Sequence, residues 1–388
     1  MNEWNFKPSR KFVESVPKTD LHVHLDGSVR LSTILDLAER GGVKLPADNE
    51  KDLAKAIHMG QPCKDLRDYL TAFNVTLSVL QDEYALYRVA YELAEDAAKE
   101  NVRLMEVRYS PMLHTRQGLS LTRIVEVVLE GLADARRDFN IVCNIIICGI
   151  RHIAPEQSMR LAELSIAYKN MGVVGFDLAG AEYDYPAKDF REAFYLVRNN
   201  NVNCTIHAGE AYGPKSIHQA IHVCGAHRIG HGTRLREDGD LLNFVNDHRI
   251  PLEICISSNI QTQAVEDVAN HPFKFYYDFG VRVTLNTDNR LVTNTTVTKE
   301  YMTAIDAFKL TAGDVRQLVI NGFKSAFLPF HERQATLRKI CVELDDLLNA
   351  ESATQGDWSE DEKASQGQAL NLPDASDKKK KKAPVVEA

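Results

Sequence analysis

Residues 19–27, Thr-Asp-Leu-His-Val-His-Leu-Asp-Gly (TDLHVHLDG), alternate apolar and polar side chains. In an extended chain successive side chains point to opposite faces, so Leu21, Val23 and Leu25 fall on one side and His22 and His24 on the other. On a barrel strand the histidine face is the interior. Two buried imidazoles side by side each need a polar partner, and one metal ion would satisfy both.

Working outward, seven further segments read as strands: VRLMEVRYSP (102–111), VCNIIICGIRH (142–152), VVGFDLAG (173–180), VNCTIHAGE (202–210), HRIGHGT (227–233), PLEICISSN (251–259) and VRVTLNTDN (281–289). They alternate with amphipathic stretches, the pattern of βα units around a parallel sheet. Eight such units predict an α/β fold, a closed (β/α)8 TIM barrel. The competing doubly wound sheet would carry a GxGxxG turn after its first strand, and none is present.

Strands one and two lie roughly 75 residues apart, well beyond ordinary βα spacing, which predicts a helical insertion over about residues 30–100 that acts as a lid. Within it, Leu66, Tyr69, Leu70 and Phe73 follow i, i+3, i+4, i+7 spacing. That stripe reads either as core packing or as an apolar wall over a substrate pocket. Residues 1–350 are expected to form the barrel domain. Residues 351–388 turn to Ser, Gln, Gly and charge, with the run Lys378–Lys382 before a final APVVEA, and read as a disordered polar tail.

Hydrophobic residues make up 44% and charged residues 26% of the 388, which excludes fibrous, disordered and membrane classes. With 46 basic against 54 acidic residues the net charge is −8, so binding along a nucleic-acid backbone is not expected. No segment is apolar for long enough to span a bilayer. Seven cysteines without a CxxC pair fit a reducing cytoplasm.

Chemistry gathers at the strand ends, where a barrel of this kind places its active site. Strand five ends in His207 and Glu210, strand six in His231 and strand eight in Asp288 and Asn289. His22, His24, His207 and Asp288 could converge on one divalent cation at the shared mouth. Imidazole nitrogen with one carboxylate oxygen suits zinc best, while iron, manganese and cobalt accept the same ligand types. Glu210 and His231 can approach the metal's water without ligating. His218 and His222 have HxxxH spacing, but Gln219 stands where HExxH has its glutamate, so they read as surface histidines on a helix.

In that order, TDLHVHLDGS, DLAGAE, TIHAGE, RIGHGT and LNTDN resemble the adenosine deaminase family of metal-dependent barrels, over roughly residues 10 to 345. The resemblance implies that His22, His24, His207 and Asp288 hold one catalytic Zn²⁺ per chain and that Glu210 is the proton donor. It further implies that His231 and Asp288 orient the attacking water and accept its proton. Related binuclear hydrolases use a bridging lysine on strand four. VVGFDLAG offers none, which implies a mononuclear site.

The implied reaction is zinc-dependent hydrolytic deamination of adenosine, and of 2′-deoxyadenosine, to inosine and ammonia in purine salvage. Small purine nucleosides are the implied partners. His24, Asp26, Gly180 and Asn289 would line the substrate site, with Asp26 accepting the ribose 5′-hydroxyl and the Gly180 backbone lying close to the purine. By turn chemistry alone Asp26 and Gly180 are equally turn residues. Two departures stand out: Asn289 replaces the second aspartate of the family's TDD, and CISSN lacks the family's proline. A deaminase of adenine or of a modified adenine nucleoside or nucleotide is the alternative, and a catalytically silent binding barrel the more distant one.

Overall fold

The computed structural model describes residues 4–63 and 66–353. The side chains of Leu66, Tyr69 and Leu70, and the tail with its lysine run, lie outside the described residues. Eight parallel strands follow one another in sequence order around the sheet: β1 (Lys18–His24), β2 (Val102–Tyr109), β3 (Val142–Ile150), β4 (Val173–Ala179), β5 (Asn203–Ala208), β6 (Arg228–His231), β7 (Leu252–Ile254) and β8 (Val283–Leu285). A bridge between Val23 and Asp288 closes the ring, with His24 N donating to Asp288 O (2.7 Å) and Asp288 N to His22 O (2.8 Å). The structure is therefore the expected (β/α)8 barrel.

Every strand is somewhat shorter than its sequence segment, and two are much shorter. β7 stops at Ile254, and CISSN turns into a helix, Ile256–Gln261. β8 stops at Leu285, three residues before Asp288. Short apolar runs do not distinguish strand from helix by periodicity, and Ile256 and Ile260 suit a helix turn as well as an extended segment.

The outer helices bury one stripe each against the barrel. In Leu121–Asp138 the buried residues Ile124, Val125, Val128, Leu132 and Ala135 recur at three- and four-residue steps. Gly131 lets that helix approach helix Glu83–Lys99, because a Cβ there would sit 2.5 Å from Tyr87 O. The barrel interior is ionic below the mouth. Arg108 Nη1 meets Asp177 Oδ2 (2.9 Å), Arg108 Nη2 meets Glu253 Oε2 (2.9 Å), and Arg228 bridges Glu253 Oε1 and Glu106 Oε2 (2.6 Å each). Burial would be costly for any of these charges alone, and each has its counter-ion.

Between β1 and β2 the chain forms helices Leu31–Gly41, Glu50–Ala56 and Leu66–Val79 before the barrel helix Glu83–Lys99, which packs on β2 and on Leu121–Asp138. The insertion is tied across the mouth: Gly60 N donates to Val292 O (2.8 Å) and Cys63 N to Gln261 O (3.0 Å). Phe73 is half-buried against the core. Cys143, Cys148, Cys204, Cys224, Cys255 and Cys341 are thiols. Among the described residues no helix is long and apolar enough to cross a membrane.

Candidate active site

The C-terminal mouth of the barrel gathers the residues singled out in the sequence. One ligand atom from each of His22, His24, His207 and Asp288 lies within 4.8 Å of the others. His24 Nε2 and His207 Nε2 are 3.2 Å apart, and Asp288 Oδ1 lies 3.3 Å from His24 Nε2 and 3.6 Å from His22 Nε2. Strand pairing sets this up, since the β5–β6 register places Ala208 against His231 and the β1–β8 bridge places Val23 against Asp288.

Carboxylates behind the ligands decide how the rings face. His22 Nδ1 is 2.9 Å from Glu253 Oε2 and His207 Nδ1 is 3.0 Å from Asp177 Oδ2. Each Nδ1–H donates outward, which turns the Nε2 lone pairs inward. His22 Nε2 is buried without a hydrogen-bond partner among the described residues, although its neighbours are paired. Converging lone pairs beside a carboxylate repel one another unless a cation sits between them. The donor set of three imidazoles and one carboxylate therefore fits a zinc-type ion.

Electrostatics agree with this reading. Burial, followed by the Arg108 charge, pushes His22 down to about 4, so its ring is neutral and could offer Nε2 to a metal. Burial alone would raise the Glu253 and Asp288 carboxyls. Arg108 and Arg228 nevertheless hold Glu253 well below the usual carboxylate range, and the adjacent His22 ring, followed by His24 and His231, does the same for Asp288. Burial would lower His207, yet the Asp177 charge raises it, and a charge that favours a proton at that ring favours a metal there equally.

Glu210 stands on the loop after β5. Its position is set by Glu182, whose carboxylate accepts from the backbone N–H of Gly209 (2.6 Å), Glu210 (3.0 Å), Ala211 (2.7 Å) and Tyr212 (3.0 Å). Glu210 Oε2 lies 3.5 Å from His231 Nε2, and its Oε1 lies 3.1 Å from Thr262 Oγ1. Asp288 Oδ2 accepts from Ser258 Oγ at 2.6 Å, on the helix that replaces the end of the predicted seventh strand. His231 (φ +63°) and Asp288 (φ +60°) both adopt left-handed backbone, which non-glycine residues hold only where the surroundings enforce it.

Of the expected substrate residues, Asp26 is buried, its Oδ1 has no partner among the described residues, and burial pushes its carboxyl up to about 6. Gly180 follows β4 in an exposed, left-handed conformation (φ +97°) that requires glycine. Asn289 donates one amide hydrogen to Asp288 Oδ1 (2.8 Å), and a Cβ on Gly27 would lie 1.8 Å from its Oδ1. His218 and His222 lie exposed on helix Pro214–His222, as expected.

Several functional residues escaped the sequence reading: Asp177, Glu182, Glu253, Ser258 and Asn259. Three had a signal: Asp177 and Glu182 sit in the DLAGAE segment, and Glu253 is an acid between Leu252 and Ile254 of an apolar strand.

A closed parallel barrel with three imidazoles and a carboxylate converging at its mouth defines a class, the metal-assisted hydrolases built on (β/α)8 barrels. The family profile described as adenosine deaminase matches residues 17–342, and the chain belongs to the adenosine deaminase family. A probable adenosine deaminase of Dictyostelium discoideum is 43% identical over 328 residues, 84% of this chain and 42% of that protein's own length. An adenosine deaminase of Mycobacterium sp. (strain JLS) is 43% identical over 344 residues, 84% of this chain and 94% of the relative. Among solved structures, an adenine deaminase from Arthrobacter aurescens superposes with a TM-score of 0.80 at 25% identity, covering 86% of this chain and all of that one.

Proposed function

We propose that this chain catalyses hydrolytic deamination of adenosine, and of 2′-deoxyadenosine, to inosine and ammonia. The observation that carries the reading is the facing of Glu210 and His231 across a mouth whose floor is the His22, His24, His207 and Asp288 cluster. Held by those four residues, one zinc ion per chain would supply a water acidified to near neutrality.

The chain's own residues do the rest. Asp288, anchored at Oδ2 by Ser258, offers Oδ1 to the water's proton. His231 orients that water toward the purine carbon bearing the amino group. Glu210 delivers a proton to the adjacent ring nitrogen, so that addition leaves no negative charge on the ring; the proton Asp288 took from the water then passes to the amino group, and the C–N bond breaks to release ammonia. Asp26 accepts the ribose 5′-hydroxyl, and a 5′-phosphate would place a second anion beside it. Gly180 admits the base close to backbone, and Asn289 braces Asp288. The insertion tied across the mouth serves as a lid that excludes water. Six cysteines held as thiols suit a cytoplasmic enzyme.

Ammonia release by zinc-loaded protein, followed across adenosine, 2′-deoxyadenosine, adenine, AMP and N6-methyl-AMP, tests the reading. Adenosine and 2′-deoxyadenosine are expected to lead. Preference for adenine or for either nucleotide would overturn the assignment of Asp26.

A further inference from the structure

Helix Ile256–Gln261 sends a second polar side chain toward the mouth beside Ser258. Asn259, fully buried, lies between His231 and His271, and the three side chains form a row of hydrogen bonds that begins at a backbone amide. The N–H of Phe273 donates to His271 Nδ1 at 3.1 Å. A backbone N–H can only donate, so His271 Nδ1 is an acceptor and the proton of its neutral ring is on Nε2. That nitrogen lies 3.2 Å from Asn259 Oδ1 and donates to it.

The side-chain amide of Asn259 is thereby oriented, and its nitrogen, 3.0 Å from His231 Nδ1, can only donate as well. His231 Nδ1 is an acceptor, which leaves the proton of the neutral imidazole on Nε2, the nitrogen facing Glu210 Oε2 at 3.5 Å. Reversing any member would press two N–H groups together in a site closed to water, at the full cost of unsatisfied buried donors. His271 is itself buried and pushed down by that burial to about 3, so it stays a neutral ring with one proton to give.

We propose that His271 and Asn259 are positioning residues that lock His231 in its Nε2–H tautomer, so that His231 acts on the reaction as a hydrogen-bond donor and the water's proton goes to Asp288 alone. The inference rests on the proposed reaction only in taking His231 to border the attacking water. It replaces a shared base of His231 and Asp288 with a donor and an acceptor. Water is then gripped at its oxygen by the His231 N–H while Asp288 Oδ1 receives its proton. The arrangement needs no proton movement through the His271–Asn259 row, which only fixes orientation.

Two-bond ¹H–¹⁵N correlation spectra of the zinc-loaded full chain, labelled at histidine, read the tautomer directly. The His231 signals are assigned by their loss in His231→Gln. The expected result is a protonated Nε2 and a bare Nδ1 in both His231 and His271, and a protonated Nδ1 in His231 overturns the proposal. Asn259→Asp replaces the donor by a carboxylate that only accepts. It is expected to move the His231 proton to Nδ1 and to lower kcat for adenosine by about 100-fold or more, as other wrong-tautomer histidines do, with KM within about threefold.

His271→Leu is expected to lose the fixed tautomer, and His271→Gln, which keeps a donor in place, to retain it. A shifted tautomer with unchanged kcat, or an unshifted tautomer in Asn259→Asp, contradicts the proposal. Should these variants not fold, the spectrum of the unsubstituted protein decides alone. Absence of adenosine turnover in that protein would count against the proposed function, while the tautomer is still read.

Discussion

At the scale of single residues, Glu210 carries the sharpest expectation. Glu210→Gln keeps the side chain's shape and removes the transferable proton, so zinc content should match the unsubstituted protein while kcat for adenosine falls by about 10²–10⁴-fold. Metal analysis beside steady-state kinetics checks both halves, and near-normal turnover would remove Glu210 as donor. His114 gives a separate handle on stability. Its ring is buried, with Nδ1–H donating to Leu80 O (2.8 Å), and burial pushes it down to about 4 from an ordinary value of 6.5. A base whose folded value is depressed contributes stability above its unfolded value, and that contribution is lost as pH falls from about 6.5 to 4. The loss approaches about 3 kcal/mol at the acid end. Urea unfolding across that window should show the decline, and His114→Gln should make it shallower without abolishing it, since His22 and His271 are depressed as well. The candidate ligands and Glu210 were legible because HxH, HAGE and TDN place chemistry-bearing side chains at strand ends. The roles of Glu253 and Asp177 were not, despite those cues, because what defines them is the ring nitrogen each one faces across the barrel, which spacing along the chain does not show.

Among the elements, the loop 209–212 depends on one side chain. Four backbone N–H groups converge on the Glu182 carboxylate, and a neutral amide would turn an N–H₂ toward donors. Glu182→Gln is therefore expected to cost about 1.5–3 kcal/mol locally, to lower kcat by loosening Glu210, and to leave zinc content intact. Hydrogen exchange of the Gly209–Tyr212 amides against unchanged exchange in β5 would report it, and unaltered protection would contradict it. Six of the eight strands sit close to their sequence-based bounds. The seventh and eighth do not, because their last residues leave the sheet to aim Ser258, Asn259 and Asp288 into the mouth. Local pattern reports propensity, whereas those ends obey the site.

For the whole molecule, the three segments that carry the candidate ligands are far apart in sequence and are held beside one another only while the barrel is closed, so a bound metal would couple to global stability. Stripping the ion with a chelator should lower the midpoint of thermal unfolding, and excess Zn²⁺ should restore it. At about 1,000 times Kd the ion contributes roughly 4 kcal/mol, and an unchanged midpoint would deny the linkage. The number and order of strands were readable from eight apolar segments, and the closure from their count. The ionic filling of the barrel was not, since Arg108, Glu106 and Arg228 each look like an isolated charge until the strands are rolled together. The most direct measurement is an anomalous difference map at the zinc edge from crystals of the zinc-loaded protein. One peak per chain should lie about 2.0–2.2 Å from the Nε2 atoms of His22, His24 and His207 and from a carboxylate oxygen of Asp288. A peak elsewhere, such as at His218 and His222, with none at the mouth would contradict it.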